Sequence, residues 1–571
     1  MRETDYTKRS DLLRRWGELK DERASWMPHW TELSKFLLPR SGRYFIQDRN
    51  RGARRHNNIY DSTGTRAVRV LAAGMMSGMT SPARPWFRLS TPDADLNKHQ
   101  PVKIWLDACT QLMLTVFNKS NVYRALHQTY EELGVFGTAA KVIMPDYKTV
   151  VHHASLTAGE YCIATDFKGN VDTMAREFEK TVAECVKEFG YKQCSKTVQG
   201  LWDAGTLGAW VPIIQIIEPR ADRERDFKSK AAKNMAFRSC YFEQGASEDQ
   251  YLLESGYNEF PGLCSRWSVS GGDIYGNSPG MEALGDVKQL QQEQLRKAQA
   301  IDYMVKPPLV APTSYKNRET DMLPGGITFG DGTEAIKSAF EVRIDLSHLG
   351  ADIADVRERI KSAFYADLFL MLSEQNETRM TATEVAERHE EKMLMLGPTV
   401  ERLHNEELNP LIQSTFNRML RVGMLPPPPQ ELHGVTLQVE FISMLAQAQR
   451  AIGTNSIDRF VGNLGQIAAF APGVLDKFDA DDWADEYSDM LGISPSLIVG
   501  NDKVALIRQG RAQQAQKQQD AAAANQQADT VQKLANAPMG NNTALASLVS
   551  RGGLVQTAHP ASPTAGFSGY T

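Results

Sequence analysis

The segment MEALGDVKQLQQEQLRKAQAIDYM, Met281–Met304, places Leu284, Val287, Leu290, Leu295, Ala298 and Ile301 on one side and Glu282, Asp286, Glu293, Arg296 and Lys297 elsewhere. That spacing is the signature of an amphipathic helix, about 36 Å long at about 1.5 Å per residue. Pro307 and Pro308 stop it, because proline has no amide hydrogen to donate and its ring clashes with the preceding turn. The next forty or so residues are turns and short strands, with Gly325, Gly326, Gly330 and Gly332 and the alternating FEVRIDL of Phe340–Leu346. A second long helix is expected from near Leu349 through Phe369 and Leu372. Two long helices with narrow apolar stripes therefore flank a small β-containing insert.

Working outward, SEQNETRMT, Ser373–Thr381, is too short and polar to bury anything, and it precedes a helical tract, Ala382–Val422, kinked at Pro398 and Pro410. Pro426–Pro429 reads as a stiff spacer and Val435–Phe441 as a strand. Helices resume over Ala446–Gln449, Ile457–Phe470 and Ala484–Leu491, and beyond Gln509 a Gln/Ala-rich tail is expected to begin helical and end disordered. Upstream, Asp11–Leu38 has helical periodicity interrupted at Pro28, and Gly64–Met79 is a small-residue helix preceded by Ser62 and Thr63. Further helices are expected over Val102–Asn118 and Val122–Phe136. Strand-like runs follow at Ala140–Met144, Val150–Ala154, Tyr161–Thr165, Val211–Ile217 and Arg238–Glu243. The fold class is α+β, mainly helical.

A chain of 571 residues exceeds one core, and its 42% hydrophobic and 23% charged fractions suit a folded protein better than a disordered polyelectrolyte. No apolar run reaches the length of a membrane span, and the charged N-terminus lacks a signal core, so the expectation is a chain made and kept in the cytoplasm. The six cysteines are scattered with no CxxC pair, which points to buried thiols. Sixty-four basic against 69 acidic residues give a net charge of −5, so local patches matter more than the sum. Eight arginines lie between Arg40 and Arg69, making a basic, loop-rich segment that is solvated or binds a partner. Seven basic residues between Arg220 and Arg238 leave the same two readings.

Motifs for chemistry fail one by one. No phosphate-wrapping Gly-Lys-Ser or Gly-Lys-Thr loop occurs, and SGGDIYGNSPG, Ser270–Gly280, reads as a turn with Pro279 starting the long helix. His389 and Glu390 would begin a zinc-protease helix, but Met393 stands where the second histidine belongs. His152 and His153 alternate across a strand and cannot share one ion. The acidic cluster Asp476, Asp479, Asp481, Asp482, Asp485, Glu486 and Asp489 is either a charged helix start or a divalent-ion site. No catalytic residue, metal or cofactor is expected.

Several strings in succession resemble the head-to-tail connector, or portal, proteins of short-tailed double-stranded DNA bacteriophages. They are WTELSKFLLPRSGRY (Trp30–Tyr44), IYDSTGTRAVRVLAAGMMSGMTSPARPWFRL (Ile59–Leu89) and YEELGVFGTAAKVI (Tyr130–Ile143). FPGLCSRWSVSGGDIYGNSPGMEALGDVKQLQ (Phe260–Gln291) and TATEVAERHEEKMLMLGPTVERLHNEELNPLI (Thr381–Ile412) continue the order. The resemblance implies a wing over 1–280, stem helices over 281–304 and 349–372, and a clip over 305–348. It also implies a channel loop over 373–381, a long kinked wing or crown helix over 382–429, a crown over 430–508 and a tail over 509–571. The implied function is a twelve-membered ring at one capsid vertex, a conduit for DNA packaging and ejection and a platform for terminase and tail adaptors.

The channel-loop candidates are Ser373, Glu374, Gln375, Asn376, Glu377, Thr378, Arg379, Met380 and Thr381. Lys306, Lys316 and Arg318 are candidates for DNA or partner contact, and Arg40, Arg43, Arg49, Arg51, Arg54 and Arg55 for contact with shell, scaffold or DNA. Implied partners are further copies of the chain, the major capsid protein, scaffold, the terminase large subunit, tail adaptor or nozzle proteins, and duplex DNA read without sequence preference; no membrane is involved. The alternatives are a shell or scaffold component without a channel, and a DNA-processing packaging enzyme, against which the missing phosphate loop counts.

Overall fold

The computed structural model describes residues 9–44, 52, 55–93, 96–97, 99–221, 225, 231–246, 249–305, 309–310, 337–338, 346–371, 396–432, 434, 437–442, 460–468, 470, 473–474, 478–491, 497–499 and 501–535. The chain divides into two units, Met1–Leu497 and Ile498–Thr571.

In the first unit, the N-terminal periodicity yields two helices, α1 (Arg9–Ala24) and α2 (Met27–Phe36), with Pro28 in the first turn of the second, where its missing amide costs nothing. Then come α3 (Thr63–Met79), strand β1 (Phe87–Ser90), α4 (Gln100–Lys119) and α5 (Val122–Phe136). Gly137 ends α5 in the left-handed region, φ 73°, and a Cβ there would lie 2.1 Å from the carbonyl oxygen of Gly276. The backbone of the Ser270–Gly280 turn thus presses directly on this cap, which requires glycine.

Strands β2 (Thr138–Asp146), β3 (Val150–Leu156) and β9 (Gly262–Arg266) form an antiparallel sheet in the order β3-β2-β9. A second antiparallel sheet runs β4 (Tyr161–Thr165), β5 (Val171–Thr181), β6 (Trp210–Pro219), β7 (Phe237–Glu243), β8 (Leu253–Tyr257). Polar β5, VDTMAREFEKT, carries no apolar alternation and escapes a sequence reading. It is a strand because its neighbours on both sides pair with it, and Arg176 Nε donates to Gln215 Oε1 of β6 at 2.6 Å. Between β5 and β6 an excursion carries α6 (Val182–Phe189), opened by a Thr181/Glu184 capping box, and α7 (Lys196–Asp203). Its Val182, Cys185, Phe189 and Val198 bury against Val211 and Ile213, while Leu12, Trp16 and Leu19 of α1 bury against Ile214, Ile216 and Phe242. Alternate residues of β6 therefore serve two separate clusters.

Helix α8, Pro279–Val305, is the long helix of the opening segment. Short β10 (Leu309–Val310) pairs with β11 (Lys337–Ser338), and α9 (Leu346–Ala363) returns. The second helix does not run unbroken through Phe369: Tyr365, at φ 54°, separates α9 from α10 (Ala366–Met371). The strained residue is held by burial on both sides, since Phe364 and Leu368 are inaccessible or nearly so.

Of the expected Ala382–Val422 tract, 382–395 lies outside the described residues. The remainder is α11 (Gly397–Leu403), a π-turn (His404–Leu408) and α12 (Asn409–Val422). Pro398 and Pro410 sit in first turns rather than as kinks within a helix. Strand β12, Gln438–Phe441, pairs antiparallel with β1, Phe87 opposite Phe441. Phe441 also stacks on His404 at 3.8 Å and belongs to the main core. Helix α13, Ala480–Leu491, follows. In the second unit, α14 spans Asn501–Ala535, Gln- and Ala-rich along its length.

Candidate functional site

The two long helices bury their apolar side chains unevenly along their length. On α8 the buried side chains, Ala283, Leu284, Val287, Leu290 and Gln291, all lie in the N-terminal half. Further along, Leu295 is half-buried, and Ile301, Tyr303, Met304 and Val305 are exposed, the last at 71%. On α9, among the described side chains, Ile353, Val356 and Ile360 are the buried ones, one narrow stripe against α8. Among the described residues, Ile301, Met304 and Val305 at the end of this helix stay exposed, unlike the apolar side chains of its first half.

The base of this helix pair is fixed by Asp61. Gln291 Oε1 accepts from the backbone amides of Tyr60 and Asp61 at 2.6 and 2.8 Å, and Gln294 Nε2 donates to Asp61 Oδ2 at 3.0 Å. Arg357 of α9 donates to the same oxygen through Nε and Nη2 at 3.0 and 2.7 Å. Burial pushes the Asp61 carboxyl up, but hydrogen bonds from Thr63 and the Arg357 guanidinium outweigh it and hold the group below the usual carboxylate range. Asp61 also serves the start of α3, accepting from Thr63 N at 2.8 Å, although Ser62 occupies the cap position.

A second knot sits where the π-turn meets the three-stranded sheet. Lys141 and Glu407, both fully buried, form an ion pair, and Ser265 Oγ donates to Glu407 Oε2 at 3.1 Å. The adjacent Glu406 accepts from Arg266 through its backbone amide at 2.9 Å, Nε at 3.2 Å and Nη2 at 2.6 Å. Arg266 Nη2 also reaches the carbonyl of Gly169 at 2.8 Å, and Arg402 adds a contact to Glu406 at 3.2 Å. On the same sheet face His153 is buried with neither ring nitrogen hydrogen-bonded. Burial, reinforced by the nearby charges of Lys141, Arg418 and His152, holds its pKa well below the usual histidine value, so it is neutral.

Among the candidate residues, Ser373–Thr381, Lys306, Lys316, Arg318, Arg49, Arg51 and Arg54 lie outside the described residues. Arg40 is exposed and Arg55 half-buried. Arg43 ties its own loop down: its amide donates to Ala158 O at 2.8 Å and Nη1 meets Glu160 Oε1 at 3.2 Å. The six thiols are buried and free, and desolvation raises each, for example Cys109 to about 12 and Cys162 to about 11, which leaves them protonated. Of the acidic cluster, Asp476 lies outside the described residues, and Asp479 accepts from the amides of Asp481 and Asp482 at 3.0 and 3.2 Å, capping the start of α13. Among the described residues no group of acidic, histidine or cysteine side chains could hold a metal ion, and no helix is long and apolar enough to cross a membrane.

The Asp61 hub and the Glu406/Glu407 pair were not singled out from sequence. The only signal was two adjacent glutamates inside the apolar frame LHNEELNPLI, and sequence alone does not say that both turn inward.

Residues 9–499 match the model of the family described as bacteriophage head to tail connecting protein. A probable portal protein of Bordetella phage BPP-1 is 60% identical over 570 residues, 99% of this chain and all of that one. The portal protein of Salmonella phage epsilon15 is 45% identical over 554 residues, 96% of this chain and 99% of that one. Among solved structures, a chain from the virion of a native gene transfer agent particle covers 81% of this chain, and this chain 99% of it, at 12% identity and a TM-score of 0.32. A chain from the neck of the empty particle gives 79% and 96%, 12% and 0.33.

Proposed function

The chain belongs to the bacteriophage head-to-tail connecting, or portal, family, and from that premise we propose that twelve copies close into a ring at one capsid vertex. The exposed apolar end of α8 supports this reading. In a head-to-tail ring each protomer covers its neighbour's Ile301, Met304 and Val305 with a different patch of its own surface, and repetition of one such contact closes the circle.

The layout proposed for the protomer has α8 and α9 as stem, residues 305–348 as clip and Ser373–Thr381 as the loop facing the channel. The net charge of −5 per chain repels phosphate overall, so duplex slides through on weak contacts with scattered cations such as Lys306, Lys316, Arg318 and Arg379. The ring itself hydrolyses nothing; a separate terminase drives DNA through it and leaves the clip to a tail adaptor. Capsid protein and scaffold are the proposed partners at the shell, with assembly in the host cytoplasm.

Electron-microscope class averages of the purified protein test the ring: twelve subunits around an open hole are expected, and a solid oligomer or a stable monomer would refute it. Met304→Glu with Val305→Glu should leave the protomer folded and abolish ring formation. Deleting Glu374–Met380 should leave rings intact while lowering packaged DNA.

A further inference from the structure

Where α1 meets α2 the surface opens into a cavity of about 400 Å³, a size that holds a small solute. Its wall includes Lys20 and Arg23 of α1, Arg43 and Tyr44, Glu160, and Glu177 of β5. Hydrogen bonds fix the Gly42–Tyr44 side of it. Gly42 N donates to Thr157 Oγ1 at 2.7 Å, Arg43 N to the Ala158 carbonyl at 2.8 Å, and Tyr44 Oη to the Trp30 carbonyl at 2.7 Å. Gly159, at φ 89°, lets the Arg43 backbone lie directly on its turn, where a Cβ would collide with the Arg43 carbonyl. The wall is therefore preformed.

Arg23 is the unusual group in that wall. It is 4% exposed, and its Nη1 donates to the carbonyls of Gly159 and Tyr161 at 2.8 and 2.7 Å. Both partners are neutral. Nε is covered and has no hydrogen-bond partner, and among the described residues no carboxylate pairs with the guanidinium. A cation taken out of water is unfavourable unless an anion stands beside it. Arg43 is already paired, Nη1 to Glu160 Oε1 at 3.2 Å. With that pair set aside, Lys20 and Arg23 stand against Glu177, which leaves a surplus of one positive charge among these wall residues.

We propose that this cavity binds a small solute through a phosphate or carboxylate group, which supplies the missing counter-charge of Arg23 and is drawn in by Lys20. A guanidinium matches either oxyanion, because its planar N–H donors fit two oxygens at once. The volume fits a free solute rather than a DNA duplex. Binding needs one chain only, so it holds whether or not copies close into a ring.

Isothermal titration of the full chain with inorganic phosphate and, separately, with succinate tests it. Saturable binding of at least one of the two is expected, one per chain, and the comparison tells which oxyanion the site takes. Arg23→Gln should lower the affinity at least about tenfold, the loss of a charge-assisted contact. Lys20→Gln should lower it about two- to fivefold and Glu177→Gln raise it by about as much, while Lys192→Gln, outside the cavity, should leave it unchanged.

Opposite signs at Lys20 and Glu177 are not produced by misfolding. They decide the matter if Arg23→Gln, which also gives up the bonds to Gly159 and Tyr161, does not fold. Absence of binding of both anions at tens of millimolar, an equal loss in Lys192→Gln, or an affinity indifferent to the changes at Lys20 and Glu177 would overturn the proposal.

Discussion

Replacing Lys141 with methionine removes the one cation that, among the described residues, pairs with Glu407, a side chain with no exposed surface. What remains around that carboxylate is Ser265 Oγ at 3.1 Å. Losing one partner of a buried pair costs about 3–5 kcal/mol, because the other charge is left desolvated. The first unit holds residues 1–497. At about 2.1 cal/mol/K per residue its unfolding entropy is about 1 kcal/mol/K, so a unit that melts together should lose about 3–5 °C of midpoint. The double change Lys141→Met, Glu407→Leu removes both charges and keeps similar volume, and it should return to within about 1–2 °C of the parent or exceed it. Differential scanning calorimetry of the four proteins in the cycle measures this. If Lys141→Met alone melts like the parent, the pair is not buried as described. If the double variant is as unstable as the single, packing at Lys141 rather than the uncompensated charge is responsible.

Glu132 and His153 give opposite pH responses in one core. Burial, which outweighs hydrogen bonds from Thr157, Ala158 and Ser41, raises Glu132 from 4.5 to about 7. Its contribution is therefore complete below pH 4.5 and lost as pH rises through 7, and Glu132→Gln should flatten the stability profile between pH 5 and 8 by up to about 3 kcal/mol. Denaturant titrations at both pH values check it, and an unchanged profile would contradict the assignment. His153 is depressed below 6.5, so its contribution is present above pH 6.5 and lost on acidification. His153→Leu should weaken the acid sensitivity of unfolding below that pH, and an identical acid transition would count against a buried neutral imidazole. Gly137→Ala forces a left-handed alanine with its Cβ 2.1 Å from the Gly276 carbonyl, so a loss of more than about 1 kcal/mol is expected in the same titrations.

Much of the scaffold was legible because periodicity is a local property. The helices over Gly64–Met79 and Met281–Met304 and the strands at Tyr161–Thr165 and Val211–Ile217 emerge nearly where their patterns place them. Strand β5 was hidden because its residues are sorted by neighbours in β4 and β6 rather than by their own alternation. The break at Tyr365 was hidden because tyrosine carries no signal for a left-handed backbone. The reading of His152 and His153 as pointing to opposite faces holds, one exposed and one buried, yet nothing local says that the buried ring faces Lys141 and Arg418 without a partner.

The order of helices, insert and spacer, the absence of local catalytic motifs and the family resemblance were decided by the sequence, since each is carried by residue types at short spacing. Tertiary structure decided which polar groups are spent holding the chain together. Asp61 meets Gln291 and Arg357 across more than two hundred residues, and Glu407 meets Lys141 only after a π-turn and a three-stranded sheet have formed. Those contacts are long-range, and a side chain's charge acquires its meaning from the partner and the dielectric around it, neither of which is written beside it in the chain.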